Sequence, residues 1–230
     1  LSFVETGRAK PSAELLLAIG HHLEVPLRAR NAWLLAAGYA PRFSEQGLDA
    51  ARMAEVKAAL QRLLDVHDPY PGVALDWQWN VVLYNQAAHR LMGLLPDKLK
   101  QPSINMFRAS LHPEGFARYT QNFAQWGSYL LHVLQRLRLT SQDATLSALM
   151  DEVYAYPNVS AIRDSAEELM SAESGLLVPC ILALHGQQLS LFSTLTVFGC
   201  PRDITLHELF IELFYPSDPA TQAALRLLAG

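Results

Sequence analysis

The sequence has few cysteines, few charged residues and no long hydrophobic run. Its two cysteines, Cys180 and Cys200, do not stand at a metal-binding spacing, and a disulfide-stapled fold needs more of them, so we expect buried thiols. No stretch reaches the ~18 consecutive apolar residues of a membrane helix, and the start of the chain lacks the features of a signal peptide. These absences predict a soluble, cytoplasmic protein that does not bind a membrane.

The sequence also lacks the motifs of common catalytic sites. It has no Gly-x-Ser-x-Gly elbow, no phosphate-binding loop and no Gly-x-Gly-x-x-Gly pattern. No histidine pair with a glutamate at helical spacing indicates a zinc site. The acidic pairs Asp151-Glu152 and Glu167-Glu168 are typical of solvated helix faces. We therefore expect neither an enzyme nor a metal site.

Charge is unevenly distributed along the 230 residues, of which half are hydrophobic and 17% are charged. Residues 1–42 carry a net charge of +2, whereas the remainder carries −6. The total of −4 excludes a chain that coats nucleic acid over its whole surface, and only the first segment favours contact with phosphate. The apolar fraction is ample for one large domain or two small ones.

The first forty residues read as a series of short helices. Gly7 is a typical helix end, and Ser12 is a good N-cap for the helix that follows. A further helix is predicted from Leu27 to Ala37, where Gly38 stops it. Small helical DNA-binding domains are built from such elements.

A longer helix is predicted from Asp49 to about Val66. Its apolar face comprises Met53, Val56, Leu60, Leu63 and Leu64. This face fits a connecting or dimer-forming helix, and it equally fits a helix that only packs on its own domain.

The pattern changes after the turn at residues 68–72. Two strands, 73–75 and 81–84, precede a helix that begins at Asn85 and ends at Gly93. Helical periodicity then runs from 102 to 157 and again near 160–170. Strand-like runs follow at 176–184, 189–198 and 208–214, before a last helix closes the chain.

Two features indicate binding. The first is the basic turn with Arg8 and Lys10, which is either an ordinary charged turn or part of a DNA contact surface. The predicted DNA-binding residues are Ser2, Thr6, Arg8, Lys10 and Ser12. The second is an excess of aromatic side chains after residue 69, which fits either an ordinary core or an apolar ligand cavity.

Several short motifs along the chain occur in an order similar to that of one protein family. The relevant runs are Glu5-x-Gly7-Arg8, Pro11-Ser12, Leu23-x-Val25-Pro26, Arg30-Asn31-x-x-Leu34-Leu35-x-Ala37-Gly38-Tyr39, Tyr70-Pro71, Trp79-Asn80-Val81-Val82, Asn105-x-x-Arg108, His112-Pro113, Phe192-Ser193-Thr194 and Phe198-Gly199. Together they resemble xenobiotic-response-element-type (Cro-like) helix-turn-helix regulators that carry an MmyB-like ligand-binding domain. The resemblance covers nearly the whole chain.

This resemblance implies an α+β protein with no enzyme activity. Residues 1–42 would be the C-terminal part of an all-α helix-turn-helix head, 43–68 a connecting helix, and 69–230 a PAS-like domain with a mixed antiparallel sheet under a helical cover. Because the first helices of such a head would precede Leu1, we expect this fragment to bind DNA poorly. The partners implied for the intact protein are double-stranded DNA, a second copy in a homodimer, and a small ligand.

The ligand implied is a small apolar molecule, with a fatty acid as one candidate, and no other cofactor is indicated. We hypothesise that Arg108 anchors a ligand carboxylate. The predicted ligand-binding residues are Trp79, Asn85, Phe107, Arg108, Trp126, Leu130, Phe192 and Phe198. The main alternative is a PAS-like dimerisation module whose interior is filled by side chains, and an enzyme is a more distant one.

Overall fold

The computed structural model describes residues 4, 6–48, 50–141, 143–163, 177–184, 186–199 and 201–229. Backbone contacts divide the chain into two units, Leu1–Lys57 with Val197–Leu209 and Ala58–Thr196 with Phe210–Gly230. Ser2, Asp49, the Glu167-Glu168 pair and Cys200 lie outside the described residues. Within the described helices, none combines the length and apolar character needed to cross a membrane.

Two short helices of the first unit lie where the sequence predicts them. α1 (Ala13–His22) begins after Ser12, whose hydroxyl oxygen accepts a hydrogen bond from the Leu15 amide at 3.2 Å. α2 (Leu27–Ala36) is followed by Gly38 at a φ of 76°, the left-handed conformation in which many helices end. Both cap predictions are confirmed.

Polar side chains tie together segments of the first unit that are far apart in the sequence. Asn31 accepts a hydrogen bond from the Phe43 amide at 3.1 Å and donates one to the Phe43 carbonyl at 2.8 Å. Arg28 donates to the carboxylates of Glu45 and Glu208 over distances of 2.6 to 3.1 Å. These hydrogen bonds raise the pKa of Arg28 and fix the residues around Glu208 within this unit.

The predicted long helix begins with a tighter turn. A 3-10 turn at Ala51–Met53 leads directly into α3 (Ala54–Val66). Leu60 and Leu64 of the predicted apolar face are buried, whereas Leu63 is 44% exposed. The connecting role of this helix stays a prediction.

The second unit is built on a sheet, which has five strands in the described residues. They are β1 (Gly72–Leu75), β2 (Val81–Tyr84), β3 (Cys180–Leu184), β4 (Gln187–Val197) and β5 (Phe210–Pro216). Their order across the sheet is β2-β1-β5-β4-β3. β1 pairs antiparallel with both β2 and β5, and β3 pairs antiparallel with β4. The last strand of the chain therefore lies beside the first.

The outer edge of β3 is not left open. The Gln121 amide donates to the Ile181 carbonyl at 2.8 Å, and the Ala183 amide donates to the Tyr119 carbonyl at the same distance. Residues 119–121 thus satisfy backbone groups that an edge strand would otherwise expose.

Helices cover the sheet. The further α-helices are α4 (Gln86–Met92), α5 (Met106–Leu111), α6 (Phe123–Ser141), α7 (Ala144–Tyr154), α8 (Pro157–Arg163), α9 (Ile204–His207) and α10 (Pro219–Ala229). Short 3-10 helices lie at Asp97–Leu99 and Phe116–Arg118. All except α9 belong to the second unit. Leu75 of the sheet, Phe107 of α5 and Leu134 of α6 are fully buried in one core. The predicted α+β class is confirmed.

The sequence prediction placed the start of the last strand too early. It began the strand at Glu208, but the strand runs from Phe210 to Pro216. The reason is α9, which the sequence analysis did not predict and which is capped by Asp203 through a hydrogen bond from the Thr205 amide at 2.9 Å.

Candidate functional site

A cavity lies between the sheet and its helical cover in the second unit. The cavity has a volume of about 70 Å³. When the adjoining space that is open to solvent is included, the empty volume is about 740 Å³. The lining residues are Pro71, Val73, Trp79, Ala88, Leu91, Met92, Met106, Ser110, Phe116, Thr120, Trp126, Leu130, Cys180, Leu182, Leu191, Glu212 and Phe214. The walls are therefore mostly apolar, with few polar groups.

Trp79 reaches the cavity from the turn between β1 and β2. Asp76 shapes this turn, because its carboxylate accepts hydrogen bonds from the amides of Gln78 and Asn80 at 2.9 and 2.8 Å. Trp79 has a φ of 64°, a left-handed conformation that is costly for a bulky side chain. Such strain amounts to roughly 1–3 kcal/mol and is concentrated at binding sites.

Asn105 holds the Trp79 turn against α5. Its side-chain oxygen accepts a hydrogen bond from the Phe107 amide at 3.1 Å, and its side-chain nitrogen donates to the Gln78 carbonyl at 2.8 Å. The Met106 amide donates to the Trp79 carbonyl at 2.9 Å. Asn105 belongs to the motif Asn105-x-x-Arg108, but this role was not predicted from the sequence. An asparagine just before a helix is the signal that could have indicated it.

The indole N–H of Trp79 finds no hydrogen-bond partner among the described residues. Trp79 is 6% exposed, and its Nε1 atom makes no hydrogen bond within the described part of the chain. A buried donor without an acceptor costs roughly 1–3 kcal/mol. A buried water molecule that supplies an acceptor would remove this cost.

Glu212 is the one charged residue among the described residues that line the cavity. It lies in β5 opposite Val73 of β1, is 6% exposed, and receives a hydrogen bond from the Ser193 side chain. Burial raises its pKa to about 7, an effect that the Ser193 hydrogen bond partly opposes. Glu212 was not predicted as a site residue, because its neighbours in the strand, Ile211 and Leu213, do not indicate which face of the strand is buried.

Two further titratable groups interact with Glu212. Burial is the main cause of the raised pKa of Tyr129, and burial also raises the pKa of Cys180 to about 12. The charge of Glu212 acts in the same direction on both. Cys180 is thus the buried thiol that the sequence predicts. No group of three or more potential metal ligands occurs among the described residues.

Three of the predicted ligand-binding residues line the cavity: Trp79, Trp126 and Leu130. Phe107 is fully buried and stacks on the Trp79 ring with 4.7 Å between the ring centroids, but it does not line the cavity itself. Phe107 therefore packs behind Trp79 and supports that part of the cavity wall.

Three others, Asn85, Phe192 and Phe198, do not line this cavity. The Asn85 side-chain oxygen accepts a hydrogen bond from the Gly72 amide at 3.0 Å, and Asn85 is the N-cap of α4. These contacts stabilise the fold. Phe192 stacks on Tyr215, with 5.3 Å between the ring centroids. Phe198 belongs to the first unit.

Arg108 does not line the cavity, and its guanidinium is engaged by a carboxylate of the protein. Its Nε and Nη2 atoms donate to Glu152 at 2.9 and 2.7 Å, and the Tyr156 hydroxyl donates to the same carboxylate at 2.6 Å. These hydrogen bonds lower the pKa of Glu152. Glu152 of the predicted solvated pair Asp151-Glu152 remains partly exposed, with 39% of its side chain accessible, while it pairs with Arg108.

The predicted DNA-binding residues of the described chain are exposed. Thr6, Arg8, Lys10 and Ser12 all lie at the surface of the first unit. The Lys10 ammonium lies 4.6 Å from the centre of the Tyr39 ring, an arrangement that holds it near the start of α1. Ser2 lies outside the described residues.

Two solved structures of PAS domains are similar to the chain at low identity. The match to the PAS domain of Bordetella pertussis BvgS has 12% identity and a TM-score of 0.32, and spans 76% of this chain and 96% of that one. The match to the PAS domain of an HTR-like protein from Haloarcula marismortui has 12% identity and a TM-score of 0.29, and spans 72% and 94%. No curated protein matches the chain.

One protein family matches most of the sequence. The match covers residues 56–228 and is described as the MmyB-like transcription regulator ligand binding domain. This range contains the cavity-lining residues from Pro71 to Phe214. The chain therefore belongs to the family of MmyB-like transcription regulator ligand-binding domains.

Proposed function

We propose that this protein is a DNA-binding transcription regulator whose cavity binds a small apolar ligand that controls its affinity for DNA. Membership of the MmyB-like family supports a role as the ligand-binding domain of a transcription regulator. The observation that carries the ligand site is the cavity itself, in which apolar walls surround the unpartnered Trp79 N–H and the buried carboxyl group of Glu212. Small-molecule sites combine these features, whereas packed cores leave few voids. No catalytic step is proposed.

The alternative is a dimerisation module with a filled interior. The cavity volume of about 70 Å³ argues against a filled interior, because a cavity of only about 10–15 Å³ is enough to hold one water molecule. A fatty acid, the candidate implied by the sequence resemblance, suits the apolar walls. Its carboxylate, however, finds no Lys, Arg or His among the described residues that line the cavity.

Mass spectrometry of the purified protein, native and then denatured, tests the ligand site directly. We expect a co-purified small apolar molecule that is released on denaturation. The variant Ala88→Leu should lose it, because Ala88 is buried and lines the cavity. The control Ala223→Leu changes an exposed position of α10 and should retain it. Retention of the molecule by Ala88→Leu would place it outside the cavity.

For DNA, we propose that Ser2, Thr6, Arg8, Lys10 and Ser12 contact double-stranded DNA in a homodimer of the intact protein. The exposure of the last four residues supports this proposal. Arg8→Ala and Lys10→Ala should each weaken binding across all sequences and reduce the slope of affinity against salt by about 1. Arg226→Ala, at an exposed position of α10, is the matched control and should leave both quantities unchanged.

A further inference from the structure

The charge of the cavity indicates which kind of ligand it accepts. Among the described residues that line it, Glu212 is acidic and none is Lys, Arg or His. Glu212 is 6% exposed, so water does not screen its carboxyl group effectively. A ligand of negative charge would meet an acidic group in an apolar surrounding, where repulsion is strong.

The elements packed around Glu212 carry no compensating positive charge among their described neighbouring side chains. The neighbouring side chains are Val73 on β1, Ser193 on β4, Cys180 on β3 and Tyr129 on α6. None of these is a cation. Arg136 of α6 acts on Tyr129 but is exposed. Because the described residues around Glu212 supply no cation, the bound molecule is the source of a positive partner that we consider.

We propose, on the basis of the proposed ligand site, that the cavity selects small apolar molecules with an aliphatic amine at the polar end and discriminates against the corresponding carboxylates. The ammonium group would donate a charge-assisted hydrogen bond to the Glu212 carboxylate. The rings of Trp79, Phe116, Trp126 and Phe214 add to this preference, because aromatic faces attract cations.

The pH dependence of binding follows from the state of Glu212. Burial raises its pKa to about 7, so about half of the sites are protonated at about pH 7. An ammonium ion pairs with the carboxylate form, which rises about tenfold in population between pH 6 and pH 8. Amine affinity should rise by about the same factor, carboxylate affinity should fall, and the affinity of an uncharged ligand should stay nearly constant.

Calorimetry on the intact protein with three ligands of equal chain length tests the proposal. The ligands are n-hexylamine, 1-hexanol and hexanoate, each measured at pH 6, 7 and 8. We expect hexylamine to bind at least about tenfold more tightly than hexanoate at pH 8, with hexanol between them. Equal or tighter binding of hexanoate would overturn the amine proposal and leave the proposed ligand site standing. Failure of all three to bind would contradict both.

Two variants test whether Glu212 causes the preference for hexylamine and its pH dependence. Glu212→Gln should abolish both the preference for hexylamine and its pH dependence, because glutamine carries no charge at any pH. Ser193→Ala removes the hydrogen bond that lowers the pKa of Glu212, so it should move the midpoint of hexylamine binding to higher pH. An unchanged hexylamine profile in Glu212→Gln would show that another group recognises the amine.

Discussion

Burial gives Glu212 a direct influence on stability as well as on binding. Its pKa is about 7 in the folded protein, compared with an ordinary value of 4.5. The folded state therefore holds this proton more tightly than the unfolded state does. The resulting stabilisation is complete below pH 4.5 and is lost as the pH rises through 7.

Glu212→Gln should remove this pH dependence, because glutamine carries no charge at any pH. Relative to the variant, the free energy of unfolding of the parent protein should fall by roughly 3 kcal/mol between pH 4 and pH 8. Urea unfolding at a series of pH values measures the difference. Glu55→Gln, at an exposed position of α3, is the control and should follow the parent at every pH.

Arg108 is expected to contribute to stability and not to ligand affinity. Its ion pair with Glu152 is partly open to solvent, with side-chain exposures of 36% and 39%, so breaking it should cost less than about 1 kcal/mol. We expect Arg108→Ala to leave the affinity for 1-hexanol within about twofold. A large loss of affinity would restore Arg108 as a ligand anchor. A double-mutant cycle with Glu152→Gln isolates the energy of the pair.

At the scale of elements, the local signals in the sequence were informative. Ser12 caps the helix that follows it, as predicted, because a cap depends on residues only two or three positions away. The helix predicted to begin at Asn85 is present, and Asn85 is its N-cap. The strands 73–75 and 81–84 were also placed within one residue of their observed ends.

Contacts between distant parts of the chain were not predictable in the same way. Arg108 and Glu152 are 44 residues apart, and nothing local to either residue indicates that α5 and α7 bring them together. Glu212 is similar, because the composition of β5 does not reveal that helices cover its inner face. The cavity walls at Trp79 and Trp126 were predicted, but the polar group that distinguishes the cavity was not.

α6 is the helix on which the core of the second unit can best be tested. Leu134 is fully buried, and Leu139 on the same helix is 64% exposed. Leu134→Ala should lower the free energy of unfolding by roughly 2–5 kcal/mol, because it removes apolar contacts and leaves a void. Leu139→Ala should change it by no more than about 0.5 kcal/mol. Equal effects in chemical denaturation would mean that α6 does not pack as described.

At the scale of the whole molecule, the chain passes from one unit to the other within α3. We propose that this helix transmits the effect of ligand on DNA binding. Ala59→Pro, at an exposed position, interrupts the helix and should abolish any change in DNA affinity caused by n-hexylamine.

The matched control for this prediction is Ala59→Gly, which costs the helix about 1 kcal/mol rather than about 3 and should preserve the response. DNA affinity of the intact protein is measured with and without hexylamine in both variants. A response that persists in Ala59→Pro would show that the signal takes another route.

The reactivity of Cys180 reports local opening of the second unit. This thiol lies in β3, an outer strand whose free edge is covered by residues 119–121, and its raised pKa keeps it in the unreactive thiol form. Alkylation at this site therefore requires a local opening that exposes the buried thiol, and its rate reports how often that opening occurs. In a Cys200→Ser background, a molecule held in the cavity should slow the modification, so occupancy can be followed without a label.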